Sequence, residues 1–175
     1  GEYWVGWFDH WYEEHHVRDP KEVANLFKEM IDYGASLNFY MFHGGTNFGF
    51  TSGANYYDKY EPTITSYDYN ALLSEAGDLT PAYFEVRKII EERFGKLPEL
   101  TVKNSNKKAY GKLELTERCT IFEALDNLSA PVHRPSPEFT EEIGQYQGFT
   151  LYSTTVDGPR DENEIQFDAV HDRAV

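Results

Sequence analysis

The sequence predicts an α/β fold that gives way, after about residue 97, to a stretch of all-β character. Three observations predict it. Two helical patterns, at 19–34 and 80–95, bracket one short apolar and aromatic run at 35–42. A long segment rich in Gly, Asn, Thr, Ser and Tyr, from His43 to about Leu79, separates that run from the second helix. Beyond a polar stretch at 101–108, alternating patterns replace helical ones. Helix–strand–helix order is the rhythm of a parallel α/β fold. One strand cannot make such a sheet, because parallel strands need neighbours on both sides and helices over both faces. The first half is therefore expected to be part of a larger domain, cut out of it.

The chain opens with GEYWVGWFDHWYEEHH, in which one carboxylate, Glu2, stands among Tyr3, Trp4, Trp7, Phe8, Trp11 and Tyr12. A core strand does not carry that charge, and a solvated loop does not carry that much aromatic surface. The first helix is marked by Asp19 as N-cap, Pro20 at the first helical position and Glu22 at capping-box spacing. Val23, Leu26, Phe27, Met30 and Ile31 make one apolar stripe, and Gly34 suits a left-handed stop. Ala35–Phe42 reads as a buried strand. Long loops in compact domains are uncommon and usually functional, which draws attention to 43–79. Thr80-Pro81 starts the second helix, with Tyr83, Phe84, Arg87, Ile90 and Phe94 on or near one face and Gly95 as its end. After the polar 101–108 segment, Gly111–Arg118, Gly148–Val156 and Glu164–Val170 are strand-like, while the three prolines of 130–137 predict irregular chain.

Net charge is −14, from 16 basic and 30 acidic residues. That disfavours nucleic acid and an anionic membrane surface, both of which need a basic face, and leaves a neutral polar substrate such as a sugar allowed. No apolar run reaches membrane-spanning length, and no signal peptide stands at the start. The one cysteine, Cys119, excludes an internal disulfide and reads as a small apolar residue in or near a strand. It leans towards a reducing compartment such as the cytoplasm, whereas the sequon Asn127-Leu128-Ser129 leans towards secretion.

Four groups of residues could carry chemistry. Aromatic faces stack on the C–H faces of sugars, so the cluster at 3–12 beside Glu2 suits a sugar pocket, although core packing accounts for most of its rings. His43-Gly44-Gly45-Thr46 follows a strand but lacks the Lys and the spacing of a nucleotide loop; its glycines suit a sharp turn and close approach of backbone to a ligand. Tyr67 and Tyr69, in Thr65–Asn70, offer hydroxyls to a sugar or a carboxylate, or else anchor their loop. His10, His15 and His16 lie near Glu13 and Glu14 without metal-ligand spacing and read as a solvated loop, so no metal is expected there.

Together these segments closely resemble glycoside hydrolase family 35, the family of the lysosomal and many bacterial β-galactosidases. The matching pieces are 2–11, 34–55, 65–69 and 73–77, continuing into 110–112, 124–125, 148–152 and 171–174. The resemblance implies the last units of a (β/α)₈ TIM barrel over 1–97, a linker over 98–108 and, over 109–175, the beginning of an all-β domain of sandwich or jelly-roll type. By the same resemblance Glu2 falls on the catalytic nucleophile at the end of barrel strand seven. Tyr40 and Tyr69 match tyrosines that contact the galactose. The family is retaining and uses a second carboxyl group as acid/base. That group sits in an Asn-Glu pair on strand four, and no glutamate of this chain matches it. A chain limited to these residues is expected to be inactive alone. The implied substrate is a terminal β-galactoside, with no cofactor; a homo-oligomer is compatible with the sequence. A non-catalytic carbohydrate-binding or structural member, or a related exo-β-glucosaminidase, remains open. The chain departs from the family pattern in two places: Tyr12 stands where Gly is usual, and Asn70-Ala71-Leu72 stands for Asp-Ala-Pro.

Overall fold

The computed structural model describes residues 1–168 together with Val170 and Ala174. Of the expected features, the family-like stretch at 171–173 and position 169 of the last strand-like segment lie outside the described residues. One compact unit is built on Gly1–Asn106 and a second on Lys107–Ala169.

The first unit starts with strand β1 (Glu2–Trp4), crosses through helix α1 (Pro20–Asp32) and returns in strand β2 (Asn38–Tyr40). β1 and β2 pair in parallel, with Glu2 opposite Asn38, Tyr3 opposite Phe39 and Trp4 opposite Tyr40. This is a βαβ unit, and a parallel pair of strands requires such a crossover. The ladder is shorter than the apolar run at 35–42 that announced it. Two further bonds extend it: Asn38 N donates to Gly1 O at 2.9 Å, and Val5 N to Tyr40 O at 3.1 Å.

α1 forms for the reasons its sequence gives. The Asp19 carboxylate accepts from the amides of Lys21 and Glu22 at 2.8 and 3.2 Å, satisfying donors that the first turn leaves free. Gly34, at φ +80°, ends it, with its amide bonded to Ile31 O. The buried stripe is Val23, Ala24, Phe27 and Ile31, so Ala24 replaces the expected Leu26, which is exposed. Phe27 packs on Phe39 of β2 with centroids 5.3 Å apart.

Helix α2 (Pro81–Phe94) packs against α1. Thr80 caps it, its hydroxyl accepting from Tyr83 N. Its buried face is Ala82, Val86 and Ile89, rotated from the expected Tyr83, Phe84, Arg87, Ile90, Phe94 face. Small side chains at 82 and 86 let the helices approach, and the bulky Phe84 and Phe94 stay outside. Between β2 and α2, strands β3 (Ala54–Tyr56) and β4 (Tyr60–Pro62) form an antiparallel hairpin, which the polar composition of 43–79 concealed. The polar stretch at 101–106 is tied to this unit: Ser105 N donates to Asp78 Oδ1 at 2.6 Å, and Leu79 N to Asn104 Oδ1 at 3.1 Å.

The second unit contains helix α3 (Ile121–Leu128), which sequence patterning did not anticipate. Thr120 and Glu123 form its capping box: Glu123 N donates to the Thr120 hydroxyl, and Thr120 N to Glu123 Oε2 at 2.7 Å. The three strand-like segments form no ladder among the described residues. Alternation alone does not make a strand; it needs a partner for its amides and carbonyls. Leu113 and Leu115, the residues that carried the alternation, are exposed. Cys119 is also exposed, ahead of the α3 cap rather than in a strand. No helix among the described residues is long and apolar enough to cross a membrane.

Phe27 joins α1 to β2, so Phe27→Ala should cost about 3–5 kcal/mol of stability through the cavity it leaves. The urea midpoint of the variant measures this loss.

Candidate active site

Glu2 and Trp4 are exposed while Tyr3 between them is buried, as the two-residue period of a strand dictates. Tyr3 turns inwards, and its hydroxyl donates to Val23 O at 2.6 Å. On the other face the Trp4 indole N–H donates to Glu2 Oε2 at 2.7 Å. Trp4 and Trp7 lie 5.2 Å apart, and Trp7 stacks on Phe8 at 5.0 Å. Trp7 also reaches Tyr69 at 6.3 Å. The aromatic run at 3–12 thus divides between the core, through Tyr3, a wall beside Glu2, through Trp4, Trp7 and Phe8, and solvent, where Trp11 and Tyr12 stand.

Tyr40 stands at the end of β2, one strand away from Glu2. Its ring meets Tyr69 edge-on at 5.4 Å, and its hydroxyl lies 3.4 Å from that of Tyr67. Tyr67 and Tyr69 are 5.5 Å apart, with Phe8 stacked on Tyr67 at 5.9 Å. The structure therefore brings Glu2, Tyr40 and Tyr69 together and adds Tyr67 and Trp7. Burial, then the charges of Tyr40 and Glu2, push the Tyr69 phenol up to about 12. Burial and the Tyr40 hydroxyl push Tyr67 up as well. Both phenols stay protonated at neutral pH and remain donors.

Two glycines allow this assembly. A Cβ on Gly6 would lie 1.9 Å from Tyr69 O, and one on Gly44 would lie 1.7 Å from Tyr67 O. Gly44 makes its close approach to the backbone of the tyrosine loop. Tyr67 N donates to Gly45 O at 2.9 Å, and Asn47 N to Thr65 O at 2.8 Å, so antiparallel pairing stitches the two loops beside those contacts. Glu75 completes the stitching. Its carboxylate accepts from Ser66 Oγ and Thr46 Oγ1, and these hydrogen bonds hold it below the usual Glu range. Glu75 lies in the 73–77 match to the family, which assigns it no role; only the pairing of Thr46 with Ser66 brings its partners together.

Tyr69 and Asn70 both adopt left-handed backbone, at φ 61° and 50°. Asn tolerates this conformation better than most residues, which fits its place here. Asn70 Oδ1 accepts from Arg18 N at 2.7 Å, and Leu72 is fully buried. The Asn70-Ala71-Leu72 departure is thereby accommodated by a hydrogen bond and core packing. Tyr12 keeps the conformation that glycine favours, at φ 72°, with its side chain in solvent.

His15 and His16 are exposed in the solvated loop the sequence predicts, while His10 is buried, and all three hydrogen-bond to carboxylates. Asp9 is buried and accepts from His15 Nδ1 and His16 Nδ1, each at 2.6 Å, and from His16 N at 3.0 Å. Burial pushes the Asp9 carboxyl up, but the His15 and His16 hydrogen bonds outweigh it and hold it below its usual range. The Asp9 bond raises His15, against burial and with help from Asp68, whose Oδ2 lies 3.3 Å from Nε2. His10, also buried, lies 2.8 Å from Asn55 Oδ1 of β3 and 3.1 Å from Glu13 Oε2. Asp9 lies next to the site wall, and a buried carboxylate needs such partners; three scattered histidines in a polar loop gave no spacing from which to read them. No group of three or more metal-binding side chains occurs among the described residues.

Residues 1–93 match the family described as glycosyl hydrolases family 35. The chain is 43% identical to a beta-galactosidase of Bos taurus over 99% of this chain and 27% of that protein. It is 40% identical to beta-galactosidase-1-like protein 3 of Homo sapiens, over 89% of this chain and 25% of that protein. A beta-galactosidase of Xanthomonas manihotis is also 40% identical, over 91% of this chain and 27% of its own length. The chain spans about a quarter of the length of the relatives it matches.

Gly6→Ala or Gly44→Ala should displace the tyrosine loop and lower stability by at least about 1–3 kcal/mol, since backbone on both sides must move. Tryptophan and tyrosine fluorescence with thermal melts would register both effects. A second expectation concerns pH. Asp9, held low, stabilises the fold above the ordinary carboxylate range, and that contribution fades as pH falls through its folded pKa. His15, raised, stabilises fully below its ordinary value near about 6.5, and its contribution fades as pH rises through its folded pKa. The network is strongest between the two ranges, in mildly acid solution. Calorimetric midpoints against pH should peak there, and Asp9→Asn should flatten both limbs.

Proposed function

Because the chain belongs to glycosyl hydrolases family 35, we propose that it is part of a retaining β-galactosidase that removes terminal, non-reducing β-D-galactose. Glu2 is the nucleophile, and Tyr40 and Tyr69 bind the sugar. The observation that carries this reading is the company of Glu2: a carboxylate beside an aromatic wall, near enough to the protonated Tyr69 for its charge to be felt there. A ring of apolar carbons and hydroxyls matches that surface, because aromatic faces take the C–H side and phenols take the oxygens.

In the proposed reaction Glu2 attacks the anomeric carbon and forms a covalent glycosyl ester as the aglycone leaves. The second carboxyl group, supplied by a part of the intact enzyme outside these residues, protonates the leaving oxygen. It then takes a proton from the water that cleaves the ester. Retaining enzymes hold the two groups roughly 5–5.5 Å apart. The same reading gives residues 1–97 to the last units of a (β/α)₈ barrel, whose strand C-termini build its site. Residues 98–108 are then a linker, and 109–175 begin a β domain. The names of the relatives favour galactose over glucosamine.

In the intact enzyme Glu2→Gln should lower hydrolysis of an aryl β-galactoside by more than about a thousandfold, as loss of a covalent nucleophile does. A 2-fluorogalactoside should label Glu2 in the parent. Undiminished hydrolysis, or the label on another residue, would end the assignment. Faster turnover of an aryl β-glucosaminide than of the galactoside would move the substrate class.

A further inference from the structure

Trp4 lies on the same face of β1 as Glu2, two residues on, and is half exposed. Its indole has one donor and no acceptor, so the 2.7 Å contact has only one sense: Nε1–H donates to Glu2 Oε2. The donor is held from two directions. Its backbone is fixed by pairing with Tyr40 and by Arg18 Nη1, which donates to Trp4 O at 3.1 Å. Its ring is braced by Trp7, itself stacked on Phe8. Core packing alone does not account for this arrangement, since the ring is half in solvent and its one polar atom meets the carboxylate.

We propose that Trp4 is a positioning residue for Glu2. Its N–H fixes Oε2, leaves Oε1 to form the bond to the sugar, and steadies the carboxylate that reappears when the ester is cleaved. This rests on the reading of Glu2 as nucleophile. The reaction has two steps. In the first, the Oε1–C1 bond forms as the bond from C1 to the aglycone oxygen breaks, and that oxygen takes a proton from the second carboxyl group. In the next, water adds to C1, its proton passes to the same group, and the Oε1–C1 electron pair returns to Glu2. A donor on Oε2 is worth more to the anion than to the neutral ester, because hydrogen bonds to charged groups are the stronger ones. The donor therefore favours release of Glu2 most.

The test is transient kinetics of the intact enzyme on dinitrophenyl β-galactoside, with Trp4→Phe and Trp4→Tyr. Trp4→Phe keeps a ring and removes the donor; kcat should fall by about ten- to a hundredfold, the size of one hydrogen bond to a charge. KM should fall with it, kcat/KM should move much less, and a burst of dinitrophenolate should mark accumulated glycosyl-enzyme. Trp4→Tyr returns a hydroxyl donor and should recover part of kcat and reduce the burst. An unchanged kcat in Trp4→Phe overturns the proposal. So does equal loss in both variants with no burst and a matching fall in melting temperature, which is what a structural role alone produces. Glu2→Gln separates the two layers: if it hydrolyses normally, the nucleophile assignment fails, whatever Trp4 does.

Discussion

Two backbone contacts hold the site together: Tyr69 O against Gly6 and Tyr67 O against Gly44. Neither tolerates a side chain. The first presses the tyrosine loop onto the chain leaving β1, and the second presses it onto the chain leaving β2. Glu2 and Tyr40 come from those strands, and Tyr69 comes from the loop. Their proximity therefore depends on two hydrogen atoms where any other residue has a carbon. The hydrogen bonds from Ser66 and Thr46 to Glu75 lock the same loop from its other side.

The electrostatics follow from that geometry. A loop pressed onto strand ends buries its phenols, and burial raises the pKa of Tyr67 and Tyr69. The same compaction buries Asp9 beside Phe8, where the hydrogen bonds from His15 and His16 outweigh burial and hold its carboxyl below the usual range. Tyr69 thus lies within reach of the Glu2 charge, while a separate carboxylate–imidazole network braces the loop that follows it. The left-handed turn at Tyr69 and Asn70 costs of order 1–3 kcal/mol per residue, and the Arg18 N–Asn70 bond and the buried Leu72 offset it.

Local chemistry made part of this legible. Asp19, Pro20 and Gly34 mark α1 because capping and positive φ are decided within a few residues, and Thr80-Pro81 marks α2 likewise. The family was legible from the segments around Glu2, 34–55 and Tyr69. The face of α2 was not, because size alone does not say which stripe meets a neighbour. α3 was missed, although Thr120 and Glu123 carried a capping signal, because alternation in the surrounding chain argued for strands.

By itself the sequence determined where the helices of the first unit begin and end, that the long segment between them matters, and which carboxylate and which tyrosines to watch. The helix ends depend on neighbours a few residues away, whereas the roles of Glu2, Tyr40 and Tyr69 come from the resemblance to the family. Tertiary structure decided that Gly44 faces the Tyr67 carbonyl, that three histidines serve three carboxylates, and that an indole reaches Glu2. Each is a matter of which distant backbone arrives within a few ångströms, and no local pattern encodes that arrival.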